Sequence, residues 1–216
     1  MNRKTIVCFG DSNTWGYDAA TDSRFGEGTR WTSLLASELS HSYRVVEEGL
    51  SGRTSVSEDP LHEGLSGLSY IYPCLMSHSP LDLVVIMLGT NDTKDRFSLT
   101  SYNIAQGIVR LAKKARDTAS GINGQSPKVL VIAPPPIGEK FIETSIGKSM
   151  GSQCSGKSLE LAKHLEELFK GTGIYFADSK DHVSMNEIDY MHLDAAGHQT
   201  MANFMATQIK SLIYEE

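Results

Sequence analysis

The stretch "VCFGDSNTWG", Val7 to Gly16, carries an apolar strand pattern that stops at Gly10 and gives way at once to Asp11, Ser12 and Asn13. A strand that hands over so abruptly to small polar residues has two readings. One is a turn with a helix cap. The other is a nucleophilic serine held at the end of a strand. The choice depends on what the other strands of the chain end in.

Residues 5–9 form the first of these runs. Residues 43–46, 81–88 and 128–133 have the same apolar or β-branched character, and 174–177 is a weaker fifth. "DLVVIMLG" and "KVLVIAPPP" are continuous rather than alternating, which suits strands buried on both faces. Helical patterns lie between the runs, over residues 30–40, 100–120, 155–173 and 194–213, with Thr100 or Ser101 as an N-cap and a glycine, Gly171 or Gly173, at a C-terminus. Alternation of strand and helix predicts a parallel sheet, and right-handed crossovers make it a three-layer, doubly wound α/β/α fold. Ligands of such folds bind beyond the carboxyl ends of the strands. That selects the loop from Gly10 to Asn13, residues 48–54, residues 89–92 and the stretch after Asp178. Residues 134–155, rich in Pro, Gly and Ser, read as a long loop that covers a site and carries a short helix over 141–146.

Composition narrows the function. The chain has 216 residues, 40% hydrophobic and 21% charged, enough for one domain over 1–216, with a formal net charge of −6. An acidic balance argues against a nucleic-acid partner, and the cluster Lys113, Lys114 and Arg116 reads as a solvated helix face. The three cysteines, Cys8, Cys74 and Cys154, are widely spaced and form neither a disulfide framework nor a zinc motif, and no cofactor is expected. No run reaches the length of a membrane span, and the opening apolar run is too short for a signal-peptide core. A cytoplasmic location is the expectation.

Acyl transfer by serine needs a histidine to take the hydroxyl proton, a carboxylate to orient the histidine, and donors aimed at the oxyanion. The selected loops supply each. Ser12 follows the first strand, and its N–H points free if a helix begins there. Gly52 in "EGLSGRT" offers a backbone N–H with no side chain in the way, and Asn91 in "LGTND" offers a side-chain amide. Asp189 and His192, spaced three apart in "EIDYMHLDAAG", let a carboxylate reach one imidazole nitrogen while the other faces Ser12. Activity then rises as the histidine loses its proton. Among the seven histidines, His182 is the main rival, His198 fits the buried face of the last helix, and His41, His62, His78 and His164 show no carboxylate at a comparable place. Asp194 reads as the N-cap of the last helix. Trp15 either lines the acyl pocket or packs the first helical turn.

These blocks, in this order, resemble the SGNH (GDSL-type) hydrolases, and in particular their arylesterase and acyltransferase branch, which shares "RWT" at Arg30, "EEGL" at Glu47 and "IMLGTNDTK" at Ile86. The family's Ser, Gly, Asn and His correspond to Ser12, Gly52, Asn91 and His192, and its triad aspartate to Asp189. The resemblance implies a flavodoxin-like sheet of five parallel strands, no metal, and hydrolysis of a small-molecule ester through an acyl-serine, with acyl transfer where an alcohol replaces water. It also implies homo-oligomeric assembly. Asn13 stands where leucine is usual, and a change in packing or pocket polarity is expected from it. Two other readings compete. One is a carbohydrate O-acetyl deacetylase on the same frame. The other is a nucleotide-binding module, because "GSQCSGKS", from Gly151 to Ser158, satisfies the phosphate-loop pattern although no buried strand precedes it.

Overall fold

A computed structural model of the chain describes residues 3–214. Strand β1 (Lys4–Gly10) leads into the one-turn helix α1 (Ser12–Trp15) and a small antiparallel ribbon, β2 (Tyr17–Asp18) with β3 (Ser23–Arg24). There follow α2 (Trp31–Glu38), β4 (Tyr43–Gly49), α3 (Gly67–His78), β5 (Leu83–Met87), α4 (Ser101–Asp117) and β6 (Lys128–Ala133). The chain ends with α5 (Gly147–Met150), α6 (Cys154–Phe169), β7 (Tyr175–Asp178) and α7 (Ala195–Tyr214). The sheet has five strands in the order β4-β1-β5-β6-β7, every neighbouring pair parallel.

Side chains alternate across this sheet, so its inner strands β1, β5 and β6 must be apolar on both faces. Val7, Phe9, Val84, Ile86, Val129 and Val131 pack against α3, α4 and α6. Ile6, Cys8, Leu83, Val85, Leu130 and Ile132 pack against α2 and α7. This is the three-layer α/β/α architecture expected, with the five-stranded parallel sheet. The chain leaves β1 for β4 on one side and returns to β5 on the other, so the loops beyond β1, β4 and β5 diverge around a crevice.

Three local features differ from the sequence reading. Helix α3 is unanticipated: it contains Pro73, which breaks the usual helix signal, and has no Asp, Glu, Lys or Arg. Strand β4 runs on through Glu47 and Glu48 to Gly49 instead of stopping at Val46. Glu47 fits there because Thr32 and Ser33 hydroxyls donate to it at 2.7 Å and Arg30 at 2.9 Å. Burial pushes its carboxyl up, but these donors outweigh burial and hold it below the usual range. Within residues 134–155 the helix at 141–146 is replaced by a 3₁₀ turn, Glu139–Glu143, followed by α5. Phe141 caps its own small cluster with Ile137, Met150, Cys154 and Met191, and that tertiary contact shifts the turns.

Candidate active site

Two glycines seat α1 between strand ends. A Cβ on Gly10 would lie 2.0 Å from Thr14 Oγ1, and one on Gly49 would lie 2.2 Å from the Trp15 nitrogen. Asp11 caps the turn by accepting from Asn13 N–H at 3.0 Å, and Gly16 closes it with φ 89°. Ser12 is therefore the first helical residue, and among the described residues nothing accepts from its N–H. Burial pushes the Asp11 carboxyl up to about 6, and among the described residues its Oδ2 has no partner.

Beyond β7, a loop brings His192 and Asp189 to this turn. His192 Nε2 lies 2.9 Å from Ser12 Oγ, and His192 Nδ1 lies 2.6 Å from Asp189 Oδ2. Asp189 Oδ1 accepts from Asn186 Nδ2 at 3.0 Å and from the N–H groups of Met191 and His192 at 3.0 and 3.1 Å. Burial alone would raise the Asp189 carboxyl, but the hydrogen bond and charge of His192 and these amides hold it below the usual carboxylate range. It stays ionised and orients the imidazole. Asn186 is a hub the sequence reading missed. Its Oδ1 accepts from Ile188 and Asp189 N–H at 2.7 and 2.8 Å. An Asn three residues before a carboxylate in a loop is the local signal for such a turn.

The donor loops are tied to the same strand end. Leu50 N–H and Arg53 Nη1 both donate to the Gly10 carbonyl, at 3.1 and 2.9 Å. Gly52 turns with φ 86°, and nothing described accepts from its N–H. Asp92 accepts from Ser55 N–H and Oγ, which locks the Asn91 turn to the Gly52 loop. Asn91 is buried, and among the described residues its Nδ2 has no partner. A buried amide left unpaired in the resting protein is a donor held ready for a ligand oxygen. Arg53, stacked 4.1 Å over Phe9, braces this loop. Beside it Glu48 pairs with His78 at 2.7 Å, the long-range carboxylate partner that sequence reading did not find for this histidine. Glu48, Cys74 and His78 bring their ligand-type atoms within 4.8 Å of one another. The Glu48 carboxylate is already engaged by His78 and Tyr70 and faces the Arg53 cation.

Among the other side chains, Asp194 and His198 fall where the sequence reading puts them. The Trp15 ring lies under the Arg24 guanidinium at 5.1 Å, whereas Tyr17 packs its ring 4.4 Å from His192. His182 is exposed against Phe204, away from the serine line. Asp194 caps α7 by accepting from Gly197 N–H at 2.7 Å, and His198 is fully buried. Asn13 does more than adjust packing: its side chain bonds Met191 and Leu193, on either side of His192.

The phosphate-loop lookalike is filled from within the protein. Ser152 N–H donates to Asp95 Oδ2 at 2.9 Å, and Lys157 Nζ is held by Thr93 O and Asp95 Oδ1 at 3.1 and 3.2 Å. A carboxylate occupies the place where a phosphate would need free amides and a free lysine. Residues 134–155 lean on the histidine loop instead: Gly138 N–H donates to Tyr190 O at 2.8 Å, and Tyr190 takes φ 60°.

The model of the GDSL-like Lipase/Acylhydrolase family matches residues 8–200. Among solved structures, the native aryl esterase of M. smegmatis is 38% identical over 97% of this chain and 99% of that one, with a TM-score of 0.91. Est24, a carbohydrate acetylesterase from Sinorhizobium meliloti, is 37% identical over 97% and 100%, with a TM-score of 0.90. A carbohydrate acetylesterase family member from the same organism is 31% identical over 96% and 98%, with a TM-score of 0.88. No curated protein sequence matches the chain. A family match over most of the length, joined to a fold and site of this kind, means that the chain belongs to the GDSL-like lipase/acylhydrolase family and is a carboxylic ester hydrolase.

Proposed function

We propose that Ser12 is the nucleophile of an esterase that cleaves small acyl esters, acetyl above all. The observation that carries this reading is the buried line from Ser12 Oγ through His192 to Asp189, at 2.9 and 2.6 Å. His192 Nε2 takes the hydroxyl proton as Oγ bonds to the ester carbonyl carbon. The N–H groups of Ser12 and Gly52 and the amide of Asn91 receive the oxyanion. The tetrahedral species collapses, the alkoxide leaves with the proton from His192, and an acyl-serine remains. Water attacks it with His192 again as base, releasing the acid and restoring Ser12.

An alcohol that reaches the acyl-serine before water takes the acyl group, which is the acyltransferase reading. The carbohydrate O-acetyl deacetylase reading is favoured by the likeness to Est24. Faster acetate release from acetylated sugars than from aryl esters separates it from the arylesterase reading. Residues 134–155 wall the site on the His192 side in either case. Homo-oligomeric assembly is supported by the outer face of α3, where Tyr72 and Met76 are exposed and no Asp, Glu, Lys or Arg occurs from Gly64 to Leu81. Among the described residues no helix is long and apolar enough to cross a membrane, and we place the enzyme in the cytoplasm.

The test is p-nitrophenyl acetate hydrolysis by the wild type and Ser12→Ala, with circular dichroism establishing that both are folded. The reading predicts turnover that falls by about 10³-fold or more in Ser12→Ala. Equal rates in the two proteins would refute it.

A further inference from the structure

We infer that Asn13 is a positioning residue for His192, rests this on the esterase reading above, and assign it the task of fixing the distance between nucleophile and base. Asn13 directly follows Ser12 and is 1% exposed. Its side-chain amide faces the peptide groups on either side of the histidine: Nδ2 donates to Met191 O at 3.1 Å, and Oδ1 accepts from Leu193 N–H at 2.9 Å. These two bonds join positions 178 and 180 residues apart in sequence.

The geometry is a closed ring. It runs from Ser12 through the Asn13 backbone and amide to the 191–193 peptides, then through the His192 side chain back to Ser12 Oγ. The far side of Asn13 is pinned as well, because Trp31 Nε1 donates to the Asn13 carbonyl at 3.0 Å and Asp11 Oδ1 accepts from its N–H. Asn13 touches no reacting atom. It acts through His192, by holding the backbone that carries the imidazole at a fixed offset from the backbone that carries the hydroxyl. Asp189 orients the imidazole within its own loop, since it lies on that loop. Only Asn13 among the residues described here spans directly from the nucleophile's turn to the peptides flanking His192. Leucine, the usual residue at this place, can neither donate to Met191 O nor accept from Leu193 N–H. In this chain it would leave both backbone groups buried and unpaired.

Proton transfer depends steeply on this alignment, and a displacement of about 1 Å costs on the order of 10²-fold. The experiment measures kcat and KM for p-nitrophenyl acetate in Asn13→Leu and in the isosteric Asn13→Asp, each alone and combined with His192→Ala. Ser12→Ala is assayed alongside, and thermal melts verify folding. Both single variants are expected to lose about 10- to 100-fold in kcat with KM changed by less than about 3-fold. In the His192→Ala background the same changes are expected to cost nothing further, because the group they position is gone. If Asn13→Leu does not fold, Asn13→Asp keeps the shape and the acceptor at Leu193 while putting a carboxylate against Met191 O, and its kinetics decide. Wild-type kcat in a folded Asn13 variant would overturn the inference. So would an equal further loss in the His192→Ala background, the mark of a purely structural role. Were Ser12→Ala to keep full activity, the esterase reading of the site would fall and this inference with it. Loss in Ser12→Ala with wild-type rates in the Asn13 variants overturns the inference alone.

Discussion

Asn91 holds a donor that the resting protein leaves unpaired, and this sets the sign of two separate effects. A buried amide without a partner costs the folded state on the order of 1–3 kcal/mol. In the proposed mechanism the same amide meets the developing oxyanion, where such a donor is worth roughly 3–4 kcal/mol to the transition state. Asn91→Ala is therefore expected to lower kcat by about 10²- to 10³-fold while leaving the melting temperature unchanged or higher. Kinetics and a thermal melt on one preparation check both signs, and a large fall in melting temperature would show that the amide is a structural anchor instead. At this scale the sequence exposes residues whose neighbours announce them. Ser12, Asn91, Asp189 and His192 each stand at the end of a strand or in a short polar loop, and the structure brings Ser12, His192 and Asp189 into one hydrogen-bonded line. Asn186 and Asn13 were not legible in that way. Asn13 works through partners more than 170 positions distant, and no local pattern encodes such a pairing.

At the scale of elements, α1 is the piece that matters, and it is seated by an absence of side chains. The end of β4 lies so close to α1 that a Cβ on Gly49 would reach 2.5 Å from Trp15 Cα. Neither backbone can give way without moving Ser12. Gly49→Ala is expected to cost about 1–3 kcal/mol, a fall of very roughly 2–12 °C in melting temperature for a chain of this size, together with a loss of kcat larger than that fall alone would produce. A variant with wild-type stability and activity would show that the contact is softer than described. Strands β1, β5 and β6 were readable because both faces of each are apolar, and the helices α4, α6 and α7 because their polar and apolar positions recur at helical spacing. Helix α3 was not, since Pro73 interrupts it and it lacks the charged outer face that usually marks a helix. The extension of β4 was hidden because Glu47 argues against a strand until Arg30, Thr32 and Ser33 are known to surround it. The turns within 134–155 depend on contacts with Met191 and Tyr190, which lie far along the chain.

For the whole molecule, two of the buried groups through which pH acts have opposite signs. His198 is buried under Phe25 and accepts from Trp31 N–H through Nδ1, and burial lowers its pKa from 6.5 to about 4. Its contribution to stability is thus present above pH 6.5 and is lost as the pH falls toward 4, a change of about 3 kcal/mol. Asp11, raised to about 6 from 3.8 by burial, favours the folded state at low pH, and that contribution is lost as the pH rises through the same window. The wild-type curve mixes these with the other shifted carboxylates, so the informative quantity is the difference from His198→Gln. Urea melts at pH 7, 5 and 4 are expected to show the wild type losing stability relative to the variant as the pH falls, with a pH-independent difference counting against a buried neutral His198. The parallel three-layer fold was legible at this scale because strand and helix alternate along the chain, whereas the order of strands in the sheet follows from how the crossovers pack.

The catalytic line predicts an acyl-enzyme on Ser12, and that species can be trapped. Acid quench during steady-state turnover of p-nitrophenyl acetate, followed by peptide mass spectrometry, should find one acetyl group on the peptide that contains Ser12, and none in Ser12→Ala. An unmodified Ser12 peptide during turnover, or an acetyl group that forms at another residue and persists in Ser12→Ala, would rule out Ser12 as the nucleophile.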